Sequence, residues 1–350
     1  MEEKHNRFEQ NSARATFVLV LISLLLALLA SEFIFRMVKE MNWQKNKAQW
    51  QHELYRVLDD DRLEFALLPG VTRENKIPDT GVTWSYRINS HGFRGAEFDP
   101  GHPGKHILFI GDSYTFGWAV DEEETLTAAV ERQLAAPPYA MDIHAYNLGV
   151  PGYNTYQELA QLEQVLQRYK ADMVVLGYVV NDAKQQRNVP VRPSTYYRHV
   201  SSWLLAEVLQ LINRDVFDGR PVLDSGLLNP RVDTRESFER FDRGWVESRA
   251  AFGGIAALCR EQGVPLLVIM HPAYAQHLDA RYPYVDLHAS VVQWAAEEGV
   301  TIVDILDYMH GRDRNEYQVI GDGHPNGKSF EVTAQFIAPL IHEQFSGTSE

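Results

Sequence analysis

Lys105-His-Ile-Leu-Phe-Ile-Gly-Asp-Ser-Tyr-Thr-Phe-Gly117 decides how the rest of the chain is read. The apolar run 107–110 stops at Gly111, and Asp112 and Ser113 follow at once. Such a run closed by Gly-Asp-Ser predicts a buried strand that turns sharply into a helix. The serine then stands at the C-terminal end of a strand, where open parallel sheets gather their chemistry. Gly, Asp and Ser are equally the residues of a plain turn or helix cap. The function of the stretch therefore depends on what else reaches the same sheet edge.

Downstream, strands are expected at 143–147, 173–180, 265–270 and 301–305, in addition to 107–110. Helical patterns lie between them. One spans 124–134, with Leu126, Val130 and Leu134 on one face. One follows Asn154-Thr155, with Glu158 completing a capping box and Leu159, Leu162, Leu166 and Tyr169 inward. Others cover 234–262, 284–298 and 329–345. Strands alternating with helices predict an α/β domain whose parallel sheet carries helices on both faces. Residues 184–233 interrupt the alternation with Tyr196, Tyr197, Trp203 and Leu204. They form an insertion that would serve either as a lid over a pocket or as extra helix on the flank.

Upstream, 65–104 is rich in Pro, Gly, Asn and Asp and reads as a structured lead-in. It includes Ile88-Asn-Ser-His-Gly-Phe-Arg-Gly95, where His91 and Arg94 could reach a substrate but are assigned to a surface loop. Residues 37–64 read as a polar helix with Trp43, Trp50, Leu54 and Val57 on one stripe. From Ala15 to Ala30 no charged residue occurs. Phe33-Ile34-Phe35 extends the run past Glu32 to Arg36. About 20 apolar residues cross a bilayer, so 15–36 spans one if Glu32 and Arg36 sit among headgroups. The Ala27-Leu-Leu-Ala30 end is a poor signal-peptidase site, which favours an uncleaved anchor. Lysines and arginines flank both sides, so charge alone leaves its orientation open.

At 350 residues the chain can bury a full core. A formal charge of −14 and the lack of a basic stripe argue against nucleic acid. One cysteine, Cys259, excludes an intrachain disulfide and a thiolate metal cluster. His91, His102, His106 and His144 are scattered and show no metal-ligand spacing. No cofactor motif is found. No Gly-x-Gly-x-x-Gly follows a strand. Asp322 stands where a phosphate loop ending in Gly327-Lys-Ser329 would need glycine.

Serine is a weak nucleophile unless a base takes its proton, and it needs donors for the developing oxyanion. Four pieces could meet those needs. The first is Gly111-Asp-Ser113. The second is Asn147-Leu-Gly-Val-Pro-Gly-Tyr-Asn154, whose Gly152 offers a bare backbone N–H. The third is Gly177-Tyr-Val-Val-Asn-Asp182, which brings the Asn181 amide to a strand end. The fourth is Gly321-Asp-Gly-His-Pro-Asn326, with His324 beside Asp322. Tyr114, Asn154 and His271 are candidates to line the pocket.

Together the four blocks resemble the SGNH hydrolases, or GDSL esterase/lipase superfamily, with Ser113, Gly152, Asn181 and His324 on its four signature residues. The resemblance covers residues 105–345. It implies a flavodoxin-like three-layer α/β/α fold with a central parallel sheet and acyl chemistry without a metal. It implies a Ser113 nucleophile, a His324 base, and an oxyanion hole made by the Ser113 N–H, the Gly152 N–H and the Asn181 side chain. The family's aspartate usually stands three residues before the histidine. Here Gly321 holds that place, and Asp322 lies two before. Asp322, a backbone carbonyl or Asp304 would orient the imidazole.

The layout also resembles membrane-anchored bacterial members associated with envelope polysaccharides. That implies a cytoplasmic tail (1–14), an inner-membrane anchor (15–36), a juxtamembrane helix and lead-in (37–104) and an extracytoplasmic SGNH domain (105–350). Three activities follow as expectations. They are hydrolysis of a small acyl ester such as O-acetyl on a polysaccharide, acyl transfer to a glycan hydroxyl from the same Ser-His site, and glycan binding without catalysis.

Overall fold

A computed structural model describes residues 2–50, 54–60, 62–183, 201–208 and 243–347. The chain divides into two compact units, Met1–Ala48 with Arg192–Val232 and Gln49–Val191 with Asp233–Glu350. In the first, α1 (Glu2–Trp50) is one continuous helix. Its Arg14–Lys45 portion is long and apolar enough to cross a membrane, and none of its apolar window is buried. A soluble core helix would bury such a stripe, so the exposed one fits an anchor or signal segment.

The second unit opens with β1 (Tyr55–Val57) and β2 (Phe65–Leu67), an antiparallel pair. The helix expected through residue 64 therefore ends by Trp50, and Leu54 and Val57 are not on it. The cause is local. The Asp60 side chain accepts the N–H groups of Arg62 (2.8 Å) and Leu63 (3.0 Å). Aspartate bonded to the backbone two and three residues on makes a turn in place of a helix. A hairpin follows, β3 (Thr72–Lys76) and β4 (Thr83–Arg87). Phe65, Leu67, Trp84, Tyr86, Ile88, Phe93 and Phe98 of this lead-in join the same hydrophobic core as the main sheet.

That sheet is parallel throughout. Its strands are β5 (Lys105–Gly111), β6 (Ile143–Asn147), β7 (Met173–Tyr178), β8 (Leu266–Met270) and β9 (Thr301–Asp304), in spatial order β6-β5-β7-β8-β9. β7 is buried along its whole length, and β5 is buried from Ile107 onward. Strands covered on both faces need unbroken apolar runs, which is what 107–110 and 173–176 supply. Each such side chain taken out of water contributes about 1.5–3 kcal/mol.

The helices are α2 (Ser113–Phe116), α3 (Leu126–Ala135), α4 (Thr155–Leu166), α5 (Arg243–Gln262), α6 (Val285–Glu298), α7 (Leu306–Met309) and α8 (Gly327–Ser346). α3 packs with α8, while α4 packs with α5 and α5 with α6. This gives the three-layer α/β/α fold. Residues 234–242 of the helix expected at 234–262, and most of the 184–233 insertion, lie outside the described residues. The chain leaves β5 for β6 on one side and returns past it to β7 on the other. The C-terminal ends of β5 and β7 therefore flank the topological switch point, where such sheets bind ligands.

Candidate active site

Ser113 is the first residue of α2, directly after β5. The turn is sharp because Gly111 sits at φ +153°, and a Cβ there would lie 2.1 Å from Thr115 Oγ1 and 2.8 Å from the Gly177 carbonyl. Only glycine passes so close to its neighbours. Asp112 caps the helix, its Oδ1 accepting the Tyr114 N–H at 2.8 Å. Its Oδ2 accepts from Asn181 Nδ2 at 3.0 Å. Burial pushes the Asp112 carboxyl above its usual range, against these donors.

Two side chains hold α2 from its other end. Asn147 Nδ2 donates to the carbonyls of Thr115 (2.9 Å) and Phe116 (3.2 Å). Arg94 Nη1 donates to Phe116 O (2.8 Å) and Gly117 O (2.5 Å), and its Nη2 to Val120 O (2.6 Å) and Ser85 O (3.1 Å). Arg94 is 3% exposed, so its placement on a surface loop is wrong. Burial lowers its pKa to about 10. A buried guanidinium is tolerated because four inward-facing carbonyls converge on it. A lone arginine in a Gly-rich segment carried no sequence signal for that. His91 lies elsewhere, its Nδ1 2.7 Å from the Tyr169 hydroxyl.

His324 comes from the loop before α8. Its Nε2 is 2.8 Å from Ser113 Oγ. Its Nδ1 meets Asp322 Oδ1, which also accepts the His324 backbone N–H at 3.2 Å. Burial opposes ionisation of Asp322, but the bonds from His324 outweigh it and hold the carboxyl below its usual range. Asp304, the alternative partner, is occupied elsewhere, its Oδ1 2.8 Å from His288 Nδ1.

Ser113, His324, Asp322, Gly152, Asn181 and Tyr114 all line one cavity of about 440 Å³. Trp118 and Tyr55 form further walls, and neither was expected from sequence. Trp118 follows the strand-turn block but carries no motif. Tyr55 reaches the site only because β1 packs beside the second block, its hydroxyl donating to Pro151 O at 3.1 Å.

Two expected lining residues are not on this wall. Asn154 is the N-cap of α4, its side chain accepting the Gln157 N–H at 3.1 Å. The capping box is completed by Gln157, so Glu158 falls one place further on and points inward. Both Glu158 carboxylate oxygens lack a hydrogen-bond partner among the described residues. Burial, with Asp112 nearby, drives its pKa well up. Asp182 is raised likewise by burial and the adjacent Glu158. His271 is 1% exposed and sits behind the cavity, its ring 5.8 Å from that of Tyr114. Burial lowers its pKa to about 3, which keeps it neutral.

Away from this edge, the fold gathers residues that looked scattered. Side-chain ligand atoms of His102, Asp142 and His144 lie within 4.8 Å of one another. The pairing of β5 with β6 sets His106 opposite His144 and brings their flanking residues into one neighbourhood. His102 Nδ1 already accepts the Gly104 N–H at 3.0 Å.

Residues 109–331 match the model of the GDSL-like lipase/acylhydrolase family. No curated protein matches the chain in sequence. Among solved structures, a lipase/acylhydrolase from Enterococcus faecalis is 17% identical, covering 69% of this chain and 96% of its own, with a TM-score of 0.42. Axe2, an acetylxylan esterase from Geobacillus stearothermophilus, is 16% identical, covering 68% and 94%, with a TM-score of 0.43. The esterase EstA from a Pseudoalteromonas species is 15% identical, covering 70% and 96%, with a TM-score of 0.38.

Proposed function

We propose, from the premise that the chain belongs to the GDSL-like lipase/acylhydrolase family and is an ester-bond hydrolase, that Ser113 is its nucleophile and His324 its base. The observation that carries this is the continuous relay from Asp322 through His324 to Ser113 Oγ. Ser113 Oγ attacks the acyl carbon while His324 Nε2 takes its proton. The Asp322 carboxylate orients the imidazole and offsets the charge it gains. The oxyanion is met by the N–H groups of Ser113 and Gly152 and by Asn181. An amide nitrogen has two hydrogens. Asp112 holds one of Asn181's, which leaves the other to point at the developing charge. Collapse breaks the ester C–O bond, and His324 returns the proton to the leaving alcohol. Water, deprotonated by the same histidine, then clears the acyl-enzyme.

The substrate we propose is a short acyl ester, such as O-acetyl on a polysaccharide. A volume of about 440 Å³, shared by acyl and alcohol portions, lies toward the small end of ligand sites. The aromatic walls of Tyr55 and Trp118 suit a sugar ring. α1 is proposed as an inner-membrane anchor that leaves the domain outside the cytoplasm. The non-catalytic reading rested on the displaced aspartate, and the contact between Asp322 and His324 removes that support.

The test is acetate release from p-nitrophenyl acetate and from an O-acetylated polysaccharide by the purified full chain. Ser113→Ala should lower kcat by about 10³-fold or more. Equal turnover would refute the assignment. Acetyl appearing on an added deacetylated glycan would mark the transferase.

A further inference from the structure

The uncharged part of α1 is short. Ala15 to Ser31 rises about 25 Å at about 1.5 Å per residue, against a hydrocarbon core of about 30 Å. From Glu32 to Met41 the helix carries charge on one face only. Glu32, Arg36, Lys39 and Glu40 are half-buried on that face, together with Phe35. Phe33, Ile34, Met37, Val38 and Met41 are exposed on the other.

The charged face is covered by residues 201–208 of the insertion. The Glu32 carboxylate accepts from Ser202 Oγ (2.8 Å) and from the N–H groups of Trp203 (2.8 Å) and Leu204 (3.1 Å), which begin a short helix over 203–208. Arg36 bonds Glu32 through Nε at 2.7 Å and donates to Ser201 O at 2.8 Å. Its guanidinium lies 4.9 Å from the Trp203 ring centre. Lys39 pairs with Glu207 at 3.4 Å. Trp203 and Ala206 turn inward against Phe35. Leu205 and Val208, one helical turn apart, face outward and are 43% and 41% exposed.

We propose that residues 201–208 are a second membrane contact, lying in the lipid interface at the end of the span with Leu205 and Val208 against phospholipid. The segment neutralises the charges that would end the span at Ser31. The lipid-facing apolar surface then continues to Met41, about 40 Å from Ala15, and Leu205 and Val208 extend it sideways. The proposal rests on α1 being membrane-inserted, and it makes this part of the insertion an anchor and not a lid.

The experiment uses the full chain in vesicles of phosphatidylcholine and phosphatidylglycerol. An environment-sensitive fluorophore is attached in turn at Leu205→Cys, Val208→Cys, Leu25→Cys and Val246→Cys. Native Cys259 is buried and will not label. Labels at 205 and 208 should be quenched by 5-doxyl lipid at least twofold more than the label at 246, and spared by aqueous iodide. The label at 25 should be quenched by 12-doxyl lipid. Glu32→Gln should reduce the 5-doxyl quenching at 205, because it removes the charge that holds the segment. Iodide quenching at 205 and 208 equal to that at 246, with position 25 still quenched by 12-doxyl lipid, overturns the proposal and spares the anchor. Protection at 205 and 208 from both quenchers assigns the face to a protein contact and also overturns it. Failure at position 25 overturns both.

Discussion

Asp322→Asn separates a charge from a shape. Asparagine keeps the side-chain outline and an oxygen that can accept from His324 Nδ1. What is lost is the negative charge facing the imidazolium that forms when Ser113 gives up its proton. At an effective dielectric of about 20 and a charge separation of about 4 Å, that attraction is about 4 kcal/mol. The His324 and Asp322 side chains remain 26% and 20% exposed, so water screens part of it. About 2–4 kcal/mol is the expected loss, or a fall in kcat of roughly 30- to 1,000-fold, with KM little changed. The assay is p-nitrophenyl acetate hydrolysis under saturating substrate. Asp304→Asn is the control. Asp304 holds His288, so that variant should lose stability and keep kcat within about threefold, a limit of about 0.7 kcal/mol in the barrier. A kcat that survives Asp322→Asn but collapses with Asp304→Asn would refute the assignment of the relay.

Three further outcomes follow from the same geometry. Arg94→Met takes the guanidinium donor from the Val120 carbonyl, while Phe116 O keeps Asn147 Nδ2 and Gly117 O keeps the Val120 N–H; at about 1–3 kcal/mol for an unsatisfied buried group it should lower the urea-unfolding free energy by about that amount, and an unchanged midpoint would show that the guanidinium is dispensable. Glu158 holds its proton more tightly folded than unfolded, so its share of stability is full below the ordinary carboxylate range, near about 4, and is lost as pH rises toward its folded pKa; Glu158→Gln should therefore gain on wild type between pH 4 and 8 in thermal melts, and a constant gap would refute it. Asp322 has the opposite sign. Its lowered pKa contributes stability above the ordinary range that disappears as pH falls, so the stability gap between wild type and Asp322→Asn should close below about pH 4.

How much of this was legible before folding varies by element for physical reasons. The sheet was legible because strands buried on both faces must be apolar throughout, and 107–110 and 173–176 are. The site blocks were legible because chemistry at a sheet edge follows strand ends, and Ser113, Gly152, Asn181 and His324 each fall just beyond one or ahead of a helix. Arg94 was missed because its value lies in four carbonyls spread over Ser85, Phe116, Gly117 and Val120, which converge only in three dimensions. Trp118 and Tyr55 were missed for a related reason. An aromatic residue in a loop reads the same whether it faces a cavity or a core. The helix expected through residue 64 failed because apolar residues at Leu54 and Val57 read the same on a helix stripe as in a short buried strand, and beyond them the turn-forming Asp60 goes unread. The capping box was placed on Glu158 because Asn154 and Thr155 both cap well, and only the backbone decides which one does.

The displaced aspartate shows how a local change can preserve a distant geometry. An aspartate two residues before a histidine cannot reach its ring from extended backbone, where the two side chains share a face but run side by side. Here the loop is folded back. Gly321 and Gly323, at φ +79° and +93°, bracket Asp322 in left-handed conformations. The Val319 carbonyl accepts the N–H groups of Asp322 (3.2 Å) and Gly323 (3.1 Å), and the Val319 N–H donates to His324 O at 2.8 Å. That closed turn lets one Asp322 oxygen meet both the backbone N–H and the ring nitrogen of His324. Any side chain at Gly321 would also press on Thr80, whose Cγ2 lies 2.6 Å from the Cβ position. The one-residue shift is therefore coupled to the two glycines, and returning the aspartate to position 321 while making residue 322 glycine should not restore the relay. The double variant Gly321→Asp, Asp322→Gly should hydrolyse p-nitrophenyl acetate no faster than Asp322→Asn. Recovery to wild-type kcat would show that the turn adapts to either register.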